Sequence, residues 1–162
     1  MAVSKRRLLH ESLRRYLRRQ AWPHLVKLVE KTRDEELAAV MEMMGDEQQQ
    51  AIFDHVPSSA RQANIITSMD SPFGQRVLGP LAPVDALAIL SEMAPDDMAD
   101  ILADLEPNHV QAILELLEEE REEVEDLMAY RDDTAGGIMI PEFLALHATD
   151  TAEEALGKLR AA

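Results

Sequence analysis

Pro83, Pro95 and Pro107 stand twelve residues apart and open three units that align without a gap, PVDALAILSEMA, PDDMADILADLE and PNHVQAILELLE. Ile89, Ile101 and Ile113 share one column and Leu90, Leu102 and Leu114 the next, while Met93, Leu105 and Leu117 close the units. A proline is tolerated at the first helical position, because its missing N–H would have no partner there and its φ is already helical. The spacing therefore predicts helices of two to three turns. A helix that short is marginal alone and becomes stable by laying its apolar stripe on neighbours, as solenoids do.

Looser copies lie upstream, where Thr32 with Glu35, Asp46 with Gln49 and Ser59 with Gln62 each read as a capping box. These place helices at about 33–44, 47–56, 59–69 and 72–79, so that residues 23 to 117 read as a helical superhelix. Ahead of it, Ser4 is positioned to cap an amphipathic helix running to about Arg19, with Leu9, Leu13 and Leu17 on one stripe among arginines. From Pro107 to about Tyr130 no helix breaker occurs, which predicts one long helix. Residues 131–140 then read as a linker, Phe143 to His147 as a short strand and Asp150 to Arg160 as a short capped helix.

The 162 residues are 46% apolar but only 4% aromatic, which suits thin layers of Leu, Ile, Val, Met and Ala. The nine methionines fit such layers, since an unbranched thioether fills irregular gaps. With no cysteine, disulfides and thiolate metal sites are excluded, and a reducing compartment, the cytosol, is the expectation. The longest apolar run, Val77 to Val84, is far too short to span a bilayer and contains Gly79, Pro80 and Pro83.

Charge is divided unevenly. Residues 1 to 33 carry ten Lys or Arg against Glu11 and Glu30, whereas the rest carries six bases against 29 acids, for a net charge of −15. So acidic a body is a poor partner for nucleic acid, which needs clustered Lys and Arg. Cations or a basic partner are its natural counterpart. Between Glu92 and Asp133 sixteen acids face only Arg121 and Arg131, and Asp96, Asp100 and Asp104 recur every four residues along one helix face.

His10, His24, His55, His109 and His147 show no metal-ligand spacing. Gly136 and Gly137 are followed by no lysine in phosphate-loop spacing, and no nucleophile, base and acid fall together. Catalysis is not expected. The basic first helix suits either an anionic membrane surface, with Trp22 at its edge, or the acidic superhelix itself.

LSEMAPDDMADILADLEP, Leu90 to Pro107, and AYRDDTAGGIMIPEFLALHATDTAEEALGKLR, Ala129 to Arg160, together resemble the MgtE-type magnesium transporters. The resemblance covers most of the chain, with little signal in residues 1 to 45. It implies an all-α, right-handed superhelix of short stacked helices, followed by the truncated α/β start of a CBS module. The divisions are a basic amphipathic helix at 1–22, the N domain at 23–130, the linker at 131–140 and the CBS start at 141–162.

In such proteins the resemblance implies that the N domain closes on the CBS modules of the same polypeptide when Mg²⁺ is abundant, and that closure shuts the pore. It further implies a homodimer in the full-length protein, at the cytosolic face of the inner membrane. Aligned to the PDDMAD motif, Asp96, Asp97 and Asp100 look like the positions that face weak, interdomain Mg²⁺ sites. A further acid expected on an earlier repeat falls on Asn64, a departure that removes one ligand or marks a one-residue shift in register. The alternatives are a helical-repeat interaction scaffold resembling the flagellar motor switch protein FliG, and a soluble CBS-containing regulator without a channel.

Overall fold

The structure, a computed structural model, describes residues 2–69, 72–117, 121–129, 146, 147, 149 and 151–161. The chain divides into two compact units, Met1–Ala129 and Tyr130–Ala162. The described residues of the first are α1 (Ala2–Arg18), α2 (Trp22–Glu30), α3 (Asp34–Met41), α4 (Asp46–Phe53), α5 (Ser59–Thr67), α6 (Pro72–Leu78), α7 (Pro83–Leu90), α8 (Pro95–Ala103), α9 (Pro107–Leu114) and α10 (Arg121–Met128), with turns between them. The second unit contributes α11 (Ala152–Ala161), and no strand occurs among the described residues.

The proline periodicity sets the local geometry. Ala82, Ala94 and Glu106 have extended ψ values of 147°, 151° and 133°, the conformation to which a following proline restricts its neighbour. Pro83, Pro95 and Pro107 then start the helices at their first position. After two turns the chain tightens, with Met93 N–H donating to the Leu90 carbonyl at 2.9 Å and Leu105 N–H to the Leu102 carbonyl at 3.1 Å. These closing residues turn back onto the core, so each unit ends where its last apolar column demands.

The same rule ends α9 at Leu114 and overturns the long helix expected over residues 107 to 130. Leu116 N–H donates to the Ile113 carbonyl at 3.0 Å, and Leu117 is buried. Leu117 plays the part of Met93 and Leu105 although no proline follows it.

Along the repeat, Ala86, Met98 and Val110 are buried, as are Leu90, Leu102 and Leu114. Each Leu buried in full stabilises by about 1.5–3 kcal/mol. Ile89 and Ile113 are buried too, and Ile101 is partly so, packed against the core. Ile101 meets Gly74 of α6, where an added Cβ would lie 2.9 Å from its Cδ1 and 3.2 Å from Cγ2 of Ile66. Only a residue without a side chain lets α6 and α8 approach this closely.

Beyond α1 and α2, which pack directly on one another, stacking skips a helix. The closest packing runs α1 to α3, α3 to α5, α5 to α7 and α7 to α9 on one side, and α8 to α10 on the other. The second row continues back through α6, by Gly74 against Ile101, to α4, where Phe53 and Phe73 meet edge to face at 5.5 Å. Alternate helices are thus neighbours, and the two rows share one core rich in Leu, Ile, Val and Met.

The upstream capping boxes do not form, because other hydrogen bonds, local at Thr32 and Ser58 and to the preceding helix at Gln49, take their place. Thr32 Oγ1 donates to the Leu28 carbonyl at 2.7 Å, closing α2 rather than opening α3. Gln49, buried, donates Nε2 to the Met41 carbonyl at 2.9 Å and the Met44 carbonyl at 3.2 Å, so it closes α3 rather than its own helix. Ser58 rather than Ser59 caps α5, accepting from Arg61 N–H at 3.4 Å. Ser4 lies inside α1 instead of ahead of it.

In the second unit a capping box does form. Thr151 N–H donates to Glu154 Oε2 at 2.8 Å and Glu154 N–H donates to Thr151 Oγ1 at 3.3 Å. The hydrogen bonds from the Thr151 backbone and hydroxyl hold the Glu154 carboxyl below its ordinary value. Most of the strand expected at 143–147 lies outside the described residues, as does the linker at 131–140; Leu146 and His147 carry no regular structure.

Candidate metal-facing helix

The PDDMAD motif folds into α8. Its buried face is Met98, Ala99 and Leu102, which fixes the rotation of the helix and turns the aspartates the other way. Asp97 and Asp100 are exposed and Asp96 is partly buried at the rim, so the three expected positions share one short helix. Asp104, the helix's last cap, extends the row.

Asp96 and Asp97 occupy the first turn, where the helix dipole favours negative charge. Even so, the Asp97 carboxyl is raised above its ordinary value, chiefly by the partial desolvation of a side chain that still reaches solvent and secondarily by the charge of Asp96. Among the described residues neither aspartate lies within 4 Å of a Lys or Arg nitrogen. Asp97 thus carries negative charge that its surroundings disfavour.

Because the folded value lies above the unfolded one, charged Asp97 opposes folding at all pH above its folded value. That opposition fades as pH falls to the unfolded value. In a pH titration followed by carboxyl NMR, Asp97 is expected to titrate above the ordinary aspartate value, and Asp96→Asn to move its midpoint downward. A midpoint unmoved by that substitution would remove the electrostatic coupling between the two.

α10 packs beside α8 and carries Glu122, Glu123, Glu125 and Asp126 on its exposed face, with Arg121 paired to Glu125 at 2.9 Å. Its side-by-side placement with α8 was invisible in the sequence, which read residues 107 to 130 as one rod. Glu118, Glu119, Glu120, Asp132 and Asp133 lie outside the described residues. Among the described residues no three Asp, Glu or His side chains come together to hold a metal ion. Asp96, Asp97 and Asp100 therefore present carboxylates outward without forming a cage.

Asn64 sits exposed on α5 and donates Nδ2 to Asp34 Oδ2 at 3.2 Å. Asp34 is occupied as well by Arg61, whose Nε donates to Oδ1 at 2.7 Å, while Nη1 and Nη2 donate to the Val29 and Thr32 carbonyls at 3.1 and 2.6 Å. At the one position where an acid was expected and is missing, a guanidinium already neutralises the adjacent carboxylate.

His55 Nδ1 donates to the Ala51 carbonyl at 2.8 Å and its ring stacks on Trp22 at 4.6 Å, while His24 lies 5.6 Å from the Tyr16 ring. Among the described residues no helix is long and apolar enough to cross a membrane.

The family described as MgtE intracellular N domain matches residues 32–133. No curated protein matches the chain. A solved structure of the soluble part of a magnesium transporter is 24% identical with a TM-score of 0.68, over 96% of this chain and 62% of that one, a likeness of fold alone. A second, the cytosolic domain of the Mg²⁺ channel MgtE in complex with ATP, is 29% identical with a TM-score of 0.75, over 94% of this chain and 62% of that one. The chain thus spans about 62% of the length of each of these structures. With most of its helical unit inside the matched range and the same fold along nearly its whole length, the chain belongs to the MgtE intracellular N-domain family.

Proposed function

We propose that the chain is the cytosolic, Mg²⁺-sensing regulatory domain of a magnesium channel or transporter, closing against CBS modules of the same polypeptide when Mg²⁺ bridges their acidic faces. The carrying observation is α8, which turns Asp97 and Asp100 to solvent with Asp96 at its rim and holds Asp97 in a setting that disfavours its charge. The role is regulatory and includes no catalytic step.

Two acidic surfaces brought together repel. Carboxylates about 6 Å apart at an effective dielectric of about 20 oppose one another by roughly 3 kcal/mol per pair before salt screening. A divalent cation between them reverses the sign. Magnesium suits the task because it prefers oxygen ligands and keeps several waters, so one or two carboxylates from each side suffice. An ion that binds the closed form better than the open one shifts the population toward closure, and weak sites respond near cellular Mg²⁺ levels. In the same reading the full protein is a homodimer at the cytosolic face of the inner membrane.

The test uses the complete cytosolic region, this domain with its CBS pair. Millimolar Mg²⁺ is expected to reduce its radius of gyration and to protect the 131–140 segment from protease, and Asp96→Asn with Asp100→Asn to blunt both effects. A double variant that titrates like the parent would take these aspartates out of the ion sites. A parent that neither compacts nor gains protection would sink ion-driven closure itself.

A further inference from the structure

We propose that the outer face of α1 is a docking surface for an anionic lipid bilayer. The helix is anchored on its other side, where Leu9 and Leu13 are buried, Tyr16 and Leu17 pack on the core, and Lys5 reaches Glu36 of α3 at 2.8 Å. Its rotation is therefore fixed, and with it the face turned to solvent.

That face carries Arg7, Arg14, Arg15 and Arg18 around a Leu8 that is 62% exposed. Their spacing at 7, 14 and 18 puts three of them on one line down the helix, about 17 Å long at 1.5 Å per residue. Arg7 pairs with Glu11 at 3.1 Å and Arg15 lies 5.3 Å from the Tyr16 ring centroid, while Arg14, Arg18 and Arg19 have no acidic partner among the described residues. Arg14, Arg15 and Arg18 wall a hollow of about 500 Å³ lined wholly by α1, with Leu8, His10, Ser12 and Glu11, the partner of Arg7, completing its lining.

Planar guanidinium groups that bond phosphate bidentately, set around an exposed aliphatic side chain, match the layered chemistry of a lipid surface: anionic headgroup outside, hydrocarbon beneath. A purely ionic protein contact would leave Leu8 without a counterpart.

The net charge of −15 does not cancel this attraction. Charges farther apart than about 8 Å are largely screened at physiological salt. The acid-rich α8 and α10 pack together in the second layer, whereas α1 packs on α2, α3 and α4. A bilayer therefore orients the domain with α1 toward it. The inference stands on α1 alone and does not require the aspartates of α8 to sense an ion.

The experiment is co-sedimentation of the whole chain with vesicles of phosphatidylglycerol and phosphatidylcholine, and with vesicles of phosphatidylcholine alone. Binding is expected to the first and not the second, and to be reversed by high salt, which reads the electrostatics without any substitution. Arg14→Gln, Arg15→Gln and Arg18→Gln are each expected to lower partitioning about fivefold, and together about a hundredfold. Leu8→Ser is expected to lower it a few-fold at every salt concentration. The melting temperature is expected to hold, since these side chains are exposed.

Absence of binding to the anionic vesicles at low salt overturns the proposal, as does a triple variant that binds like the parent. Salt-sensitive self-association without vesicle binding also overturns it, and identifies the acidic face of a second copy as the occupant instead.

Discussion

Leu102→Ala is expected to lower the stability of the helical unit by about 3 kcal/mol, within the roughly 2–5 kcal/mol seen when a buried leucine is truncated in a core that cannot collapse. Leu102 is fully buried in the last turn of α8, the helix that carries the candidate aspartates, and α8 is held between α6 and α10. Its neighbours have little freedom to fill the void. Gly74 leaves no side chain to move inward, and the α10 face offers only Val124 fully buried, with Leu127 and Met128 partly so.

In a solenoid each unit is stabilised mainly by its immediate neighbours, so the damage should be local. Urea unfolding measures the total loss. Hydrogen exchange is expected to rise across α8, α9 and α10 while α1 to α4 keep their protection. Equal acceleration along the whole unit would contradict the neighbour-limited picture. The substitution also separates packing from charge, since it leaves Asp96, Asp97 and Asp100 in place.

Arg61→Ala is expected to cost about 3 kcal/mol, the scale on which removing one partner of a buried ion pair destabilises a fold. Side-chain exposures of 21% for Arg61 and 15% for Asp34 put the pair largely inside. Its loss leaves Asp34 with Asn64 at 3.2 Å as its remaining side-chain donor and strips the Val29 and Thr32 carbonyls of their guanidinium donors. Arg61→Lys should recover only part of the stability, because one ammonium cannot reach Asp34 Oδ1 and both the Val29 and Thr32 carbonyls as a planar fork does. Replacing Arg61 by Met and Asp34 by Leu together should recover more than either alone, since no orphaned charge then remains. Thermal melts of the four proteins decide it: a neutral single Arg61→Ala variant would show that the pair merely decorates the surface.

The repeat could be read from the sequence because it is local. Pro83, Pro95 and Pro107 fix where helices start, and columns such as Leu90, Leu102 and Leu114 fix which side is buried, both within a dozen residues. The outward aspect of Asp97 and Asp100 followed from that rotation. The caps were not legible in this way. Gln49 is three residues beyond Asp46, as a capping box requires, but the open carbonyls at the end of α3 claim its amide. The Arg61, Asp34 and Asn64 cluster joins residues 27 and 30 positions apart, and no periodicity announces such a meeting. The end of α9 was signalled, by Leu117 standing in the closing column, but the missing proline hid it.

Alternation between the two layers gives the helices a parity. Removing or duplicating a single twelve-residue unit ahead of α8 would carry the aspartates to the opposite side of the molecule, whereas gain or loss of two units would return them to the side they hold. Length variation in domains of this design is thus constrained in steps of a helix pair, and an odd step would separate the charged surface from whatever it has come to face.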